Sequence, residues 1–386
     1  MVRPADELVD GRVLLGSPSL TAGISGKGPL TLPEVEAWLA DPRQHEPLDF
    51  VLPIGLREAA DQVKIPADNP LTRAKIELGR QLFVDRRLSG PSRNLACFRC
   101  HLPNEGFTDH VVVGDPGRGL PERVPPLTIN RIFGEEQFWD GRAPTLEAQT
   151  VMPIASAHEL ASTHADCVQF LQENPVYRRQ FEVIFGDVSI DNVGRALASF
   201  LRAIVTAPSR FDDWQEWRRW EGRDPASLSA AERRQYEDAA RQARIRPMSP
   251  SAQRGYELFQ GRAGCVNCHT GANFTDEQYH NLGVGLEAEK PDLGRYLVTK
   301  QAADRGAFRT PTLRNVAQAP GYMHNSQFYS LGEVIDFFAA GGRANDQLDP
   351  ALAPFELSES ERRDLFEFLG SLRSKVPPVS LGRLPE

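Results

Sequence analysis

Two five-residue phrases limit what this chain can become: Cys97-Phe98-Arg99-Cys100-His101 and Cys265-Val266-Asn267-Cys268-His269. Each is a Cys-x-x-Cys pair followed at once by His. A disulfide or redox dithiol would account for the cysteines and leave both histidines to coincidence. A zinc site would have to gather its four ligands from segments 168 residues apart. Covalent haem attachment uses every residue of both phrases: two thioethers hold the porphyrin, and the adjacent imidazole takes one axial face of the iron. The phrases therefore read as two haem c sites. Cys97, Cys100, Cys265 and Cys268 are the attachment points, and His101 and His269 are the proximal iron ligands. Haem is normally attached in this way outside the cytoplasm, so a periplasmic location is expected. The fifth cysteine, Cys167, stands alone in a helical-looking stretch and reads as a buried small hydrophobe.

The surroundings of the two phrases repeat. Thr72 to Phe83 is a helical stretch with Ile76, Leu78, Leu82 and Phe83 mostly on one face, and it leads directly into the first phrase. Pro250 to Phe259 is another, and Gly79–Phe83 matches Gly255–Phe259 in spacing. Each haem phrase is then followed by a Phe-Thr-Asp phrase, Glu105 to Asp109 and Ala272 to Asp276. This is an internal duplication with one haem domain per half. The expected division is an N-terminal arm over 1–65, a first haem domain over 66–212, a charged helical connector over 213–248, and a second haem domain over 249–386.

Other local signals fill in the plan. Thr31 caps a short helix over Leu32–Leu39 with Pro33 in its first turn. Ser229 with Glu232, and Ser358 with Glu361, form capping boxes. Trp214, Trp217 and Trp220 recur every three residues, as a packed helix face does. Long alternating stretches are missing, so the fold is expected to be mostly α. A net charge of -8 argues against a nucleic-acid partner, and no apolar run is long enough to span a bilayer. The opening Met1–Asp6 lacks the charged and apolar regions of a signal peptide.

What faces each iron opposite its histidine decides the chemistry. Two strong axial ligands make an electron carrier, and an open face lets a substrate bind. The first haem phrase is followed by Phe138-Trp139-Asp140-Gly141-Arg142 and then by Gln149, Pro153 and Glu159. The second half carries Phe308-Arg309-Thr310-Pro311-Thr312-Leu313-Arg314-Asn315 and Tyr322-Met323-His324. With these motifs, the stretch from about Pro70 to Arg373 resembles the bacterial diheme cytochrome c peroxidases and the related MauG-like diheme oxidases.

The resemblance implies two cytochrome c-like haem domains in tandem with an N-terminal extension. The first haem would be peroxidatic, with Gln149, Pro153 and Glu159 lining its distal face, Arg142 contributing to haem binding and Trp139 between the haems. Glu159 suits a general acid–base role, because splitting a hydroperoxide requires a proton to move from the inner to the outer oxygen. His110, the histidine soon after the first phrase, does not have the spacing of a distal ligand and is read as a loop residue. The implied partners are hydrogen peroxide together with a small electron donor, a cytochrome c or cupredoxin, or instead a protein substrate. A homodimer is compatible with the resemblance.

The chain departs from the family pattern in two places. The resemblance implies a Met or Tyr as second axial ligand of the C-terminal haem, and Phe338 stands there. Met323, His280 and His324 are the alternatives, read respectively as packing and as hydrogen-bonding residues. The resemblance also implies Ca²⁺ held by an Asn side chain and by carbonyls near the Thr-Pro-Thr phrase. Here Val124 takes the Asn position, Asn130 is offset by six residues, and the carbonyls of Thr310 and Thr312 remain candidates. Three readings follow: a peroxidase fed by a donor protein, a MauG-like oxidase that uses peroxide-derived high-valent iron to modify a partner protein, and a plain diheme electron carrier.

Overall fold

The computed structural model describes residues 8–9, 11–90, 94–108 and 123–386. The chain forms two compact units. The first takes residues 1–52, 62–205 and 376–386, and the second takes 53–61 and 206–375. Both are mostly helical, and their strands are two or three residues long.

In the first unit, β1 (Leu8–Val9), β2 (Arg12–Leu14) and β3 (Phe50–Val51) form a small sheet. The helices are α1 (Pro18–Thr21), α2 (Leu32–Leu39), α3 (Arg73–Val84), α4 (Leu146–Ala155), α5 (His164–Glu173), α6 (Pro175–Phe185) and α7 (Ile190–Ala203). Helix α2 begins at Thr31, whose backbone N–H and hydroxyl both donate to the Glu34 carboxylate, at 3.1 and 2.8 Å. The arm is part of the unit's core: Ile24, Leu30, Val35 and Leu39 pack with Ala74 and Val176.

The one-face reading of α3 is incomplete. Every residue from Ala74 to Val84 is buried, including Lys75, Glu77, Arg80 and Gln81. Burying a charge this deeply requires full pairing. The Arg80 guanidinium is held by the Glu77 carboxylate at 2.8 Å and donates to the Ser380 carbonyl at 2.5 Å. The Gln81 amide pairs with Gln180 at 3.0 Å. Burial works against the Arg80 charge, but the Glu77 carboxylate outweighs it and keeps the guanidinium protonated. The same contacts draw in the C-terminal segment: Arg87 donates to the Pro385 carbonyl, and Arg383 pairs with Glu34. The tail from Val376 therefore belongs to the first unit, not to the second haem domain as the sequence division has it.

The second unit holds α8 (Arg210–Arg218), α9 (Ala230–Ile245), α10 (Pro250–Gln260), α11 (Tyr296–Thr299), α12 (Leu331–Ala339) and α13 (Glu359–Ser371), with β4 (Tyr279–Asn281) antiparallel to β5 (Ala307–Arg309). The charged stretch assigned to a separate connector lies within this unit. Trp220, Leu228 and Ala239, with Trp217 and Tyr236 against them, give it its own apolar anchor. Trp214 instead packs on Phe211 and Tyr256.

Each unit is built on one close helix crossing. In the first, α3 meets α7 at Gly79, where a methyl group would overlap the Ala196 carbonyl and approach Phe200 Cβ to 2.8 Å. In the second, α10 meets α13 at Gly255, where it would overlap the Asp364 carbonyl and approach Phe368 Cβ to 2.9 Å. The repeated glycine is therefore a packing requirement, since only a residue without Cβ lets these backbones touch. Gly255→Ala should gain about 1 kcal/mol of helix propensity and still lower stability by about 1–3 kcal/mol through overpacking. Denaturant melts of the haem-loaded protein measure the net sign.

Candidate functional site

Both haem phrases form one 3₁₀ turn, Cys97–Arg99 and Cys265–Asn267, which brings the following histidine back over the turn. The His101 Nδ1–H donates to the Phe107 carbonyl at 2.9 Å, and the His269 Nδ1–H donates to the Phe274 carbonyl at 3.0 Å. A carbonyl can only accept, so these bonds determine the tautomer and leave the Nε2 lone pair for iron. Burial holds both imidazoles below their ordinary value, so they stay neutral, as ligation requires.

The carbonyls reach these positions at a conformational cost. Phe107 and Phe274 have φ of 60° and 52°, in the left-handed region that side chains disfavour. Each ring is locked by aromatic packing: Phe107 against Phe83 at 6.1 Å, and Phe274 against Phe259 at 6.1 Å and Phe368 at 6.2 Å. Phe83 packs on Phe200 at 5.1 Å, and Phe259 on Phe368 at 4.9 Å. The same triad of rings thus backs each histidine, and it joins the glycine crossing to the haem turn.

Burial pushes the Cys97 and Cys265 thiols up to about 12. A redox dithiol needs the opposite, a stabilised thiolate. In the second unit a cavity of about 510 Å³ opens beside His269, lined by Phe211, Tyr256, Phe259, Phe274 and Arg314 among others. Two half-buried neutral histidines on Cys-x-x-Cys turns, backed by aromatic rings, fit covalent haem.

One difference between the two histidines was not visible in the sequence reading. The Thr128 Oγ1 lies 2.9 Å from His101 Nδ1 and donates its own hydrogen to the Pro126 carbonyl at 3.2 Å. It therefore offers His101 a second acceptor. Aligning Pro125-Pro126-Leu127-Thr128 with Thr310-Pro311-Thr312-Leu313 shows that this hydroxyl has no counterpart, since Leu313 stands there, but only the fold puts it beside His101.

Of the residues expected at the first haem, Gln149 and Pro153 share one helix and Glu159 lies within electrostatic reach of the attachment turn. Gln149 and Pro153 sit one turn apart on α4 and are half-buried. Pro153 has no N–H to give the Gln149 carbonyl, which opens the helix at that point. Glu159 follows in the loop after α4, and its carboxyl is pushed above its ordinary value by burial. A bond from Ser156 and the charges of Arg142 and His158 act against that shift without cancelling it. Glu159 is close enough to act electrostatically on Cys97.

Trp139 and Arg142 belong to a tight hairpin closed by the Gln137–Ala143 bridge, with Phe138 at φ 68°. The Trp139 indole N–H donates to the Val124 carbonyl at 2.8 Å. The Arg142 guanidinium lies 3.6 Å over the Phe138 ring and pairs with the buried Asp140 at 3.0 Å. Cys167 is buried. His110 lies outside the described residues.

Of the two carbonyls expected at calcium, that of Thr310 already accepts a hydrogen bond, and Val124 at the usual Asn position serves Trp139. The Val124 carbonyl takes the Trp139 indole, the Thr310 carbonyl accepts the Thr275 hydroxyl at 2.7 Å, and the Thr312 hydroxyl donates to the Asn273 carbonyl at 2.6 Å. Among the described residues the group with a metal-type donor set is Cys268, Asp276 and His280. Its cysteine is a haem-attachment residue. His280 bridges Asp349 at 2.6 Å and Asp276 at 2.9 Å.

The family model for di-haem cytochrome c peroxidase matches residues 73–219, and that for cytochrome c matches 252–373. The methylamine utilization protein MauG of Methylorubrum extorquens is 36% identical over 84% of this chain and 85% of its own length. This chain belongs to the di-haem cytochrome c peroxidase and MauG family. The cytochrome c551 peroxidase of Nitrosomonas europaea is 33% identical over 83% of this chain and 86% of its own. The crystal structure of a MauG-like protein associated with microbial copper homeostasis superposes with a TM-score of 0.66 at 27% identity, over 81% of this chain and 93% of that one. The protein is thus a haem peroxidase-type enzyme carrying two covalently bound haem c groups. None of its described helices is long and apolar enough to cross a membrane.

Thr128→Val removes the second acceptor from His101 and makes its imidazole a weaker donor. The reduction potential of the first haem should rise and that of the second stay in place, as read by spectroelectrochemical titration.

Proposed function

We propose that this protein is a periplasmic peroxidase that reduces hydrogen peroxide at the first haem, with electrons from a small donor protein relayed through the second. The observation that carries this reading is Glu159, a half-buried carboxyl with a raised pKa near the first attachment turn. A bare electron carrier has no use for such a group.

The haem supplies an open coordination position and electrons. The chain supplies the proton transfer. As a carboxylate, Glu159 takes the proton from the inner peroxide oxygen and returns it to the outer one, which leaves as water. Gln149, uncharged, orients the peroxide without competing for the proton. Pro153 offers no ligating atom and keeps the iron face open. Arg142 holds the local field positive near Glu159, which limits how far burial can raise its pKa. Two electrons and two protons complete the conversion of peroxide to two waters. Trp139 is the proposed aromatic station on the electron route, fixed by its bond to the Val124 carbonyl.

A second reading, oxidation of residues on a partner protein, is supported by the 36% identity to a MauG protein. The two separate by electron source: the peroxidase consumes peroxide with reduced cytochrome c or cupredoxin, and the oxidase does so only with its protein substrate. Calcium at the Thr310 and Thr312 carbonyls stays a separate proposal. Chelator treatment followed by metal analysis tests it.

Glu159→Gln should lower kcat/KM for peroxide by roughly 10²–10⁴-fold, with both haems still attached. Because the working form is the carboxylate and its pKa is raised, wild-type activity should fall with decreasing pH at a higher pH than an ordinary glutamate would give. The variant should lose that acid limb in stopped-flow pH profiles. Trp139→Phe should slow electron arrival at the first haem while leaving the peroxide step of the fully reduced protein unchanged.

A further inference from the structure

The two units repeat one more segment, and the repeat places Phe338. Asn130 and Asn315 each open a 3₁₀ turn in the left-handed conformation, with φ of 55° and 59°. A hairpin follows in both, closed by the Gln137–Ala143 and Tyr322–Phe328 bridges, with φ of 68° at Phe138 and 69° at Met323. Gly141 and Ser326 repeat the left-handed turn within it. Thr145 then caps α4, and Ser330 caps α12. Each of these pairs is separated by 185 residues (315 minus 130, 323 minus 138, 330 minus 145).

The backbone therefore gives the register with no alignment of side chains. Four residues after the cap stand Gln149 and Val334, and eight residues after it stand Pro153 and Phe338. Helical periodicity agrees. Leu146 and Thr150 are buried on α4, as Leu331 and Ile335 are on α12, and three residues further on Pro153 and Phe338 are both half-buried. Leu331 and Ile335 belong to the same core cluster against which Cys265 and Val266 of the second attachment turn pack.

We infer that His269 is the only protein ligand of the second iron, and that its other face is apolar and open to a small neutral diatomic ligand. Phenylalanine has no lone pair to give, and Val334 replaces the amide that Gln149 supplies in the first unit. The acids of α12 are committed elsewhere: Glu333 caps the helix at the Ser330 N–H, and Asp336 pairs with Arg362 at 2.6 Å. No residue of this helix can act as the proton carrier that splitting a peroxide needs, so the site accepts a ligand without activating it.

The substitutes nearest in sequence are engaged. His280 has both ring nitrogens on carboxylates. His324 corresponds in register to Trp139, is buried, and stacks on Phe308 at 3.7 Å. The Tyr322 hydroxyl donates to the Val316 carbonyl at 3.3 Å. Met323 sits at the left-handed hairpin position that Phe138 takes in the first unit.

The test uses the intact haem-loaded protein. Electron paramagnetic resonance of the resting ferric form should show both haems high-spin, and the fully reduced form should bind two equivalents of carbon monoxide per chain. Phe338→Met should convert half of the high-spin intensity to low-spin and reduce carbon monoxide binding to one equivalent. Phe338→Tyr is a second variant that should likewise turn the ferric haem low-spin. A wild-type protein with one low-spin haem and one equivalent of carbon monoxide overturns the inference, and loss of that signal in Met323→Leu would name the ligand. A Phe338→Met protein unchanged in both measurements overturns the placement of Phe338. Neither readout depends on peroxide turnover, so a failure of the peroxidase reading leaves this result standing.

Discussion

A hydrogen bond from a half-buried imidazole N–H to the carbonyl of a phenylalanine in the left-handed conformation is the interaction on which the rest of each unit depends. It determines which nitrogen faces the metal, and it holds only if the phenylalanine is prevented from relaxing. The aromatic triad prevents this, and the triad in turn requires the two long helices to cross without a Cβ at Gly79 or Gly255. Helix crossing, ring packing and ligand tautomer are thus one mechanical chain, present twice. A residue disfavoured on its own is kept in place because the surrounding core over-determines it.

On this shared frame the two units differ in a few polar atoms. The first adds the Thr128 hydroxyl behind His101 and Glu159 within electrostatic reach of Cys97, with Gln149 on α4. The second has Leu313 and Val334 at the positions of Thr128 and Gln149, and Phe338 at that of Pro153. Proton-handling groups are therefore concentrated at one haem and missing from the matching helix at the other. Such a division suits an enzyme in which one centre performs the bond-breaking step and the other handles electrons.

The buried charges of the first unit serve a different purpose. Arg80 is an expensive residue to place in a core, and its pairing with Glu77 and with carbonyls of the last residues makes the C-terminal segment part of the first unit. An isolated Arg80 would be strongly destabilising, so the segment is not an optional tail. Arg87 and Arg383 repeat the device at the surface of the same segment.

By itself the sequence determined the two haem attachments, the internal duplication, the mostly helical architecture and three of the helix caps. These depend on residues close together in the chain, where covalent spacing or one turn of backbone decides the outcome. Thr31, Ser229 and Ser358 cap helices as their neighbours three residues on require. The tertiary structure alone decided what depends on distant partners. The full burial of α3 could not be read from its own periodicity, because its polar residues are satisfied by Gln180 and Ser380, 99 and 300 residues away. The tail changed units for the same reason, through Arg80 and Arg87. Thr128 acquired its place beside His101 only through folding. The register of Phe338 against Pro153 became firm only when matching backbone conformations, which composition does not encode, could be counted from cap to cap.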